Sequence, residues 1–227
     1  MKTLILLHGA IGAKDQLKPL ANLLSEYFDV HTLNFSGHGE QPLPNEFSID
    51  LFADNLLCYI EALDLKDVYV FGYSMGGYVA LYTAKNYPEK IAKIFTLGTK
   101  FLWTSEIAKK EVNMLNPEKI EEKIPHFAEQ LKKRHLPNNW KEVLKKTTQM
   151  MENLGEKNAL QLDDYTSINI PVAIAIGDSD TMVTVEESKA VADKLPQSTF
   201  LILEKTPHPI EKVDLATLVK ELKSFLN

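Results

Sequence analysis

Ser74 is the residue of this chain whose surroundings most clearly favour covalent chemistry. It lies in the run Gly-Tyr-Ser-Met-Gly at 72–76, which follows the apolar stretch Val68–Phe71 and precedes the helix-forming stretch 78–85. A turn this tight between strand and helix holds the serine in a strained backbone conformation with its hydroxyl outermost, and flanking glycines let neighbouring backbone approach. The pattern is typical of a nucleophile elbow, so Ser74 is the candidate nucleophile.

A serine hydroxyl is a weak nucleophile at neutral pH, so it needs a base within reach and an acid that fixes the tautomer of the base. Asp178 and Asp180 both follow the apolar run 172–176, and either could be the acid. His208 follows the run 200–203 and is the only histidine beyond it. The order Ser, Asp, His along the chain is the one that an elbow-type hydrolase shows.

The elements that must position these residues form a regular series. Six short apolar runs, bounded mainly by Gly, Asp or Asn, predict buried strands. They are Thr3–Leu7, Val30–Phe35, Val68–Phe71, Ile94–Leu97, Val172–Ile176 and Phe200–Leu203. Amphipathic stretches at helical spacing lie between them, and Asp214 is the expected N-cap of the last helix. The alternation predicts an α/β fold, a mostly parallel sheet of about six strands with helices on both faces.

The alternation stops between residues 100 and 164. This part of the chain is rich in Lys and Glu, has apolar residues at helical spacing and contains no strand pattern. Trp103 and Trp140 both fall in it, together with several methionines, which is more apolar surface than a spacer requires. We interpret it as a helical lid over the strand ends, with helices that simply pack on the core as the alternative.

Bulk composition limits the function classes. The chain has 227 residues, of which 44% are hydrophobic, and a net charge of −6, so it can bury one large core but repels nucleic acid and anionic membranes. The single cysteine, Cys58, allows no internal disulfide and is expected to fill the core. The apolar run at 4–7 ends at His8, too early for a signal peptide. A soluble, cytoplasmic protein is therefore expected.

From the first strand to the last helix, these motifs resemble the α/β-hydrolase superfamily. The resemblance implies a core formed by residues 1–99 and 165–227 with a lid at 100–164, and it favours Asp180 over Asp178 as the acid. The His-Gly-Ala-Ile-Gly turn at 8–12 resembles the family's oxyanion turn. It points to the backbone N–H groups of Ala10 and Met75 as oxyanion donors, with Ile11 as the second choice in the turn. His8 and the loop 34–39 are expected to be structural.

The resemblance implies a serine hydrolase that cleaves a carboxylic ester or thioester of a small to medium apolar acyl group. Ile11, Trp103 and Trp140 are the expected pocket residues. The alternatives are a carbon–carbon bond hydrolase or lyase, similar to the menaquinone-pathway synthase, and a non-catalytic receptor. Arg134 is the only arginine available for a carboxylate-rich substrate. No zinc or phosphate-binding motif is present, so no metal or cofactor is expected. The expected partner is the small-molecule substrate alone. The sequence leaves the oligomeric state open.

Overall fold

A computed structural model describes residues 1–227, and six strands form its single sheet. The strands are β1 (Thr3–Leu7), β2 (Asp29–Thr32), β3 (Tyr69–Tyr73), β4 (Lys93–Leu97), β5 (Val172–Gly177) and β6 (Ser198–Leu203). Their order across the sheet is β2-β1-β3-β4-β5-β6. All five neighbouring pairs are parallel, so the carboxyl ends of all the strands meet at one edge. The predicted α/β class is confirmed.

Nine α-helices surround or extend this sheet. They are α1 (Lys18–Leu24), α2 (Ile49–Ala62), α3 (Met75–Asn86), α4 (Ser105–Val112), α5 (Pro117–Lys123), α6 (Pro125–Arg134), α7 (Trp140–Glu156), α8 (Val185–Lys194) and α9 (Leu215–Leu226). Asp214 caps α9 as expected, since its carboxylate accepts the N–H groups of Ala216 and Thr217. None of the nine helices combines the length and apolarity needed to cross a membrane.

The two faces of the sheet are buried in two separate clusters. Alternate residues of a strand point to opposite faces, and β1 shows this directly. Ile5 and Leu7 belong to the cluster that includes residues of α2 and α3, whereas Leu4 and Leu6 belong to the cluster that includes residues of α1 and α9. Because both faces are covered, the inner strands β1, β3 and β5 are almost entirely apolar and buried rather than alternating.

Strand β2 is shorter than the sequence predicts. The predicted strand runs to Phe35, but β2 ends at Thr32, opposite Leu6 of β1. Beyond that point the backbone bonds to side chains instead of a neighbouring strand: Phe35 N–H donates to His8 Nε2 at 3.2 Å. The chain thus leaves the sheet early and forms a loop beside the carboxyl end of β1.

The segment from 100 to 164, called the helical segment below, contains α4 to α7 and no strand, as predicted. One of its helices, α7, packs Val143, Met150 and Leu154 into the same apolar cluster as α2 and α3. Helix α7 therefore rests on the core, as the alternative interpretation required, and the segment also reaches the strand ends, as described below.

Cys58 corrects one expectation. The sequence predicts it in the core, but it is exposed on α2. Helix α2 buries the side that carries Phe52, Leu56 and Ile60. Position 58 is two residues from Leu56, about 200° around the helix, so it faces away from the sheet.

Candidate active site

Ser74 occupies the turn between β3, which ends at Tyr73, and α3, which begins at Met75. Its backbone has φ 51° and ψ −118°, a conformation that costs a residue with a side chain about 1–3 kcal/mol. Its N–H donates to Leu97 O at 2.9 Å, and its carbonyl accepts from Gly77 N at 3.0 Å. The Thr99 hydroxyl donates to the same carbonyl at 3.0 Å. These bonds hold the strained turn in place.

Gly76 shows why the turn needs glycine. A Cβ atom at this position would lie 2.5 Å from Leu7 O and 2.8 Å from His8 O, which is closer than any side chain can approach backbone. Helix α3 can therefore begin directly against the end of β1. This contact brings Ser74 next to the turn that follows β1.

His208 and Asp180 meet at the carboxyl edge of the sheet. His208 Nδ1 lies 2.7 Å from Asp180 Oδ2. Asp180 Oδ1 accepts the N–H groups of Met182 at 2.8 Å and Val183 at 2.9 Å. Burial favours the neutral acid, but the hydrogen bonds from His208 and from these amides outweigh it and hold the pKa of Asp180 below its ordinary value. Asp180 is therefore an ionised acceptor that fixes the His208 ring with Nε2 free.

Asp178, the other candidate acid, lies elsewhere in the turn. Its Oδ1 accepts from Ser179 Oγ at 2.8 Å and from Thr206 N at 3.3 Å. The carboxylate ties the loop after β5 to the loop after β6, and it makes no hydrogen bond to His208.

Two further residues shape the surroundings of His208. Tyr73, directly before the serine, donates its hydroxyl to His208 O at 3.0 Å. Gly98 has φ +60°, and a Cβ atom there would lie 3.2 Å from Asp180 Oδ2 and 3.3 Å from His208 Nδ1. The glycine leaves room for the Asp–His pair, and the tyrosine anchors the histidine backbone. The sequence motif marks neither role.

One cavity of about 280 Å³ brings the candidate residues together. Ser74, His208, Ala10 and Met75 all line it, and most of the other lining residues are apolar. The expected pocket residues Ile11 and Trp103 are among the lining residues, but Trp140 is not. Trp140 packs instead in a cluster within the helical segment, with Ile120, Ala128, Leu131 and Leu144. The prediction that Trp140 lines the pocket is thereby corrected.

The turn after β1 is folded back on itself. Gly12 N–H donates to Gly9 O at 3.1 Å, and Ile11 has φ 52°. Ala10 faces the cavity from this turn, and Met75 faces it from the first position of α3. The first N–H groups of a helix have no partner within the helix, so the amide of Met75 is suited to bind an anionic oxygen.

His135, at the end of α6, holds this turn from the other side. Its Nε2 lies 3.0 Å from Ile11 O and its Nδ1 lies 3.1 Å from Gly39 N. Because Gly39 N–H donates, Nδ1 is the acceptor and Nε2–H donates to Ile11. Burial lowers the pKa of His135 to about 4, so the ring is neutral near pH 7. The sequence interpretation gave His135 no role.

In His8 the two ring nitrogens have the opposite roles, since Nδ1–H donates and Nε2 accepts. Its Nδ1 lies 2.8 Å from Gly9 O, and its Nε2 accepts Phe35 N–H, as described above. Burial lowers the pKa of His8 to about 3, so this ring is also neutral. The structural role predicted for His8 matches these contacts.

Each positively charged residue that lines the cavity lies beside carboxylates. Arg134 lies 3.3 Å from Asp15 and 3.7 Å from Glu211. Lys100 lies 3.8 Å from Glu111. Each cation thus has a carboxylate beside it, and the cavity offers no unopposed positive charge to an anionic ligand. No group of three or more His, Cys, Asp or Glu side chains is arranged to hold a metal ion.

Residues 2–139 match the family model described as the alpha/beta hydrolase fold. The chain belongs to the α/β-hydrolase family. Lipase 3 of Moraxella sp. (strain TA144) is 24% identical over 225 residues, covering 90% of this chain and 71% of the lipase. A pimeloyl-[acyl-carrier protein] methyl ester esterase of Neisseria meningitidis (strain H44/76) is 30% identical over 94 residues, covering 41% of this chain and 35% of the esterase. These relatives support a hydrolase.

The fold of this α/β hydrolase is also found in solved structures. A malate-bound thermophilic esterase from Thermogutta terrifontis superposes with a TM-score of 0.76 at 22% identity, covering 100% of this chain and 89% of the esterase. At this level of identity the similarity establishes the shared architecture, and the chemistry has to be argued from the site itself.

Proposed function

We propose that this α/β hydrolase is a serine hydrolase that cleaves a carboxylic ester or thioester of a small to medium apolar acyl group. The observation that carries the proposal is that Ser74 and His208 line one cavity while His208 is bonded to Asp180 at 2.7 Å. Relatives named as a lipase and as a methyl ester esterase belong to the same reaction class.

In the proposed mechanism Ser74 Oγ attacks the carbonyl carbon while His208 Nε2 takes its proton. Asp180 stabilises the imidazolium through Nδ1–H. The negative oxygen of the tetrahedral intermediate accepts hydrogen bonds from the N–H groups of Ala10 and Met75, each of which typically contributes about 3 kcal/mol. The leaving alcohol or thiol receives the proton from His208. Water then attacks the acyl-enzyme by the same route, releasing the acid and restoring Ser74.

The walls of the cavity support an apolar acyl group. Trp103, Phe127, Met150 and Met151, all from the helical segment, line the cavity that Ser74 faces. A volume of about 280 Å³ is close to the lower limit for small-molecule sites. We propose that residues 100–164 act as the lid of the site, with residues 1–99 and 165–227 as the catalytic core.

The second candidate, a carbon–carbon bond hydrolase or lyase, depends on Arg134. This arginine lines the cavity, as recognition of a carboxylate-rich substrate would require. Its ion pairs with Asp15 and Glu211 neutralise the charge that such a substrate would need. The pairs therefore favour the ester or thioester hydrolase.

A fluorophosphonate probe tests the proposal. We expect labelling of Ser74 in the wild-type protein and none in Ser74→Ala, because only an activated serine attacks the probe. Ser25→Ala, which changes a serine at the exposed end of α1, is the matched control and should label normally. Folded wild-type protein that neither labels nor hydrolyses p-nitrophenyl esters from acetate to decanoate would favour a non-catalytic receptor.

A further inference from the structure

Glu111 is a buried carboxylate in the same cavity, and neither the triad nor the oxyanion turn uses it. It lies on α4, is 4% exposed, and lines the cavity together with Ser74. Its ion-pair partner, Lys100 Nζ, lies 3.8 Å away, which is beyond hydrogen-bonding distance. The carboxylate therefore accepts no hydrogen bond from the protein.

The charge of Lys100 is shared with a second carboxylate. Its ammonium donates to Met182 O at 2.9 Å and lies 3.7 Å from Glu187. Glu187 is well bonded, since it accepts the N–H groups of Phe101 at 3.0 Å and Thr184 at 3.3 Å. Two carboxylates thus share one ammonium, and one negative charge is left over beside the cavity.

A buried carboxylate without a hydrogen-bond donor is unfavourable. At Glu187 the protein supplies the donors, but at Glu111 it leaves the carboxylate facing the cavity. Met150, Met151 and Leu154, which line the same cavity, offer no hydrogen-bond donor. Water can supply one while the cavity holds no ligand, and a ligand that displaces this water has to supply one in its place.

We infer that Glu111 is a specificity residue that accepts a hydrogen bond from a hydroxyl or ammonium group on the substrate, away from the scissile bond. The inference rests on the proposed function and narrows its substrate class to esters or thioesters that carry a hydrogen-bond donor on an otherwise apolar chain. A substrate that ends in a second carboxylate is disfavoured, because like charges repel at short range.

A matched substrate series tests this. We compare kcat/KM for p-nitrophenyl esters that differ only at the end of the acyl chain, which is methyl, hydroxyl, ammonium or carboxylate, at chain lengths from four to eight carbons. A second series keeps a butyryl group and varies the alcohol in the same way, with acid release followed by titration. In at least one series the wild type should prefer hydroxyl or ammonium ends over methyl and reject carboxylate.

Two substitutions of Glu111 separate the contribution of its hydrogen-bond acceptor from that of its negative charge. In Glu111→Leu, the preference for hydroxyl and ammonium over methyl should fall at least about tenfold, as expected when a donor loses its acceptor. Glu111→Gln keeps an acceptor, so it should retain the hydroxyl preference and lose the ammonium preference. Glu106→Leu and Glu106→Gln make the same changes at an exposed position of α4 and should leave all ratios unchanged.

Fluorophosphonate labelling of Ser74 and the melting temperature identify misfolded variants. If Glu111→Leu labels like the wild type and changes no ratio in either series, the inference is wrong. It is also wrong if all substrates slow equally, because Glu111 would then only support Lys100. A wild type that labels and hydrolyses esters has the proposed function whichever of these results appears. A wild type that does neither overturns the proposed function and this inference together.

Discussion

The carboxyl edge of the sheet and the helical segment form the two sides of one cavity, but they are built differently. At the sheet edge, backbone geometry fixes the chemical groups: Ser74 is held in a strained turn, and Asp180 is held by the amides of the loop that carries it. In the helical segment, side chains such as Trp103 and Glu111 reach the cavity from helices packed on the core. Short local motifs thus encode the proposed chemistry, whereas long-range packing encodes the proposed choice of substrate.

The largest effect should come from the sheet edge. Asp180→Asn removes the charge that orients His208 and stabilises its protonated form, and kcat should fall about 10⁴-fold. Asp178→Asn, two residues away in the same turn, should change kcat by less than about tenfold, because Asp178 makes no hydrogen bond to His208. Steady-state kinetics on one ester measures both. Equal losses of kcat in the two variants would show that the turn as a whole is needed. They would contradict the assignment of Asp180, and not Asp178, as the acid.

The two tryptophans of the helical segment should differ in their effects, because Trp103 lines the cavity and Trp140 packs in a separate cluster. Trp140→Ala empties a buried cluster and should lower the free energy of unfolding by about 3–5 kcal/mol, with little change in acyl-chain preference. Trp103→Ala widens the cavity and should shift the preference towards longer acyl chains with a smaller loss of stability. Urea denaturation and a panel of p-nitrophenyl esters distinguish these outcomes. A shift in acyl-chain preference in Trp140→Ala alone would contradict the conclusion that Trp103, and not Trp140, lines the cavity.

Acid should weaken the junction of the two regions, where His8, His38 and His135 are buried together. Burial lowers the pKa of all three, from 6.5 to about 3 for His8 and about 4 for His135. Below pH 6.5 the unfolded chain therefore binds more protons than the folded one, and stability is lost as the pH falls. For His8 alone the loss between pH 7 and pH 4.5 is about 3 kcal/mol.

Urea denaturation at the two pH values measures this loss. His135→Gln should show a smaller loss than the wild type, because it has one buried histidine fewer. His126→Gln, at an exposed position of α6, is the control and should lose as much as the wild type. Equal losses in all three proteins would exclude His135 as a source of acid sensitivity.

The smallest effect should come from the contact between His135 and the turn after β1, the proposed oxyanion turn. Glutamine places its amide near Nε2 and can still donate to Ile11 O, whereas asparagine reaches only the Nδ1 position. We expect His135→Asn to lower kcat about tenfold with KM nearly unchanged, and His135→Gln to lose less, since the proposed role of the turn is to stabilise the transition state. Asn138→Ala is the control, because Asn138 bonds the carbonyls of the neighbouring loop. An increase in KM with kcat unchanged would contradict this role.

The sequence predicted the two regions unequally. All six strands were predicted, and β1 matches to the residue, because strands buried on both faces read as continuous apolar runs. The roles of Tyr73 and His135 were missed, because both depend on long-range contacts. Tyr73 bonds to His208, which lies 135 residues further along the chain, and His135 bonds to Ile11, 124 residues before it. Trp140 and Cys58 were placed wrongly, since composition alone does not tell which side of a helix meets the core.

In the proposed mechanism, Ser74 carries the acyl group during turnover. The most direct test is to quench the reaction with a p-nitrophenyl ester in acid within the first turnover and to determine the protein's mass and the modified peptide. We expect a mass increase of one acyl group located on Ser74, absent in Ser74→Ala and reduced in Asp180→Asn. Wild-type turnover by Ser74→Ala, or an acyl group located on another residue, would contradict it.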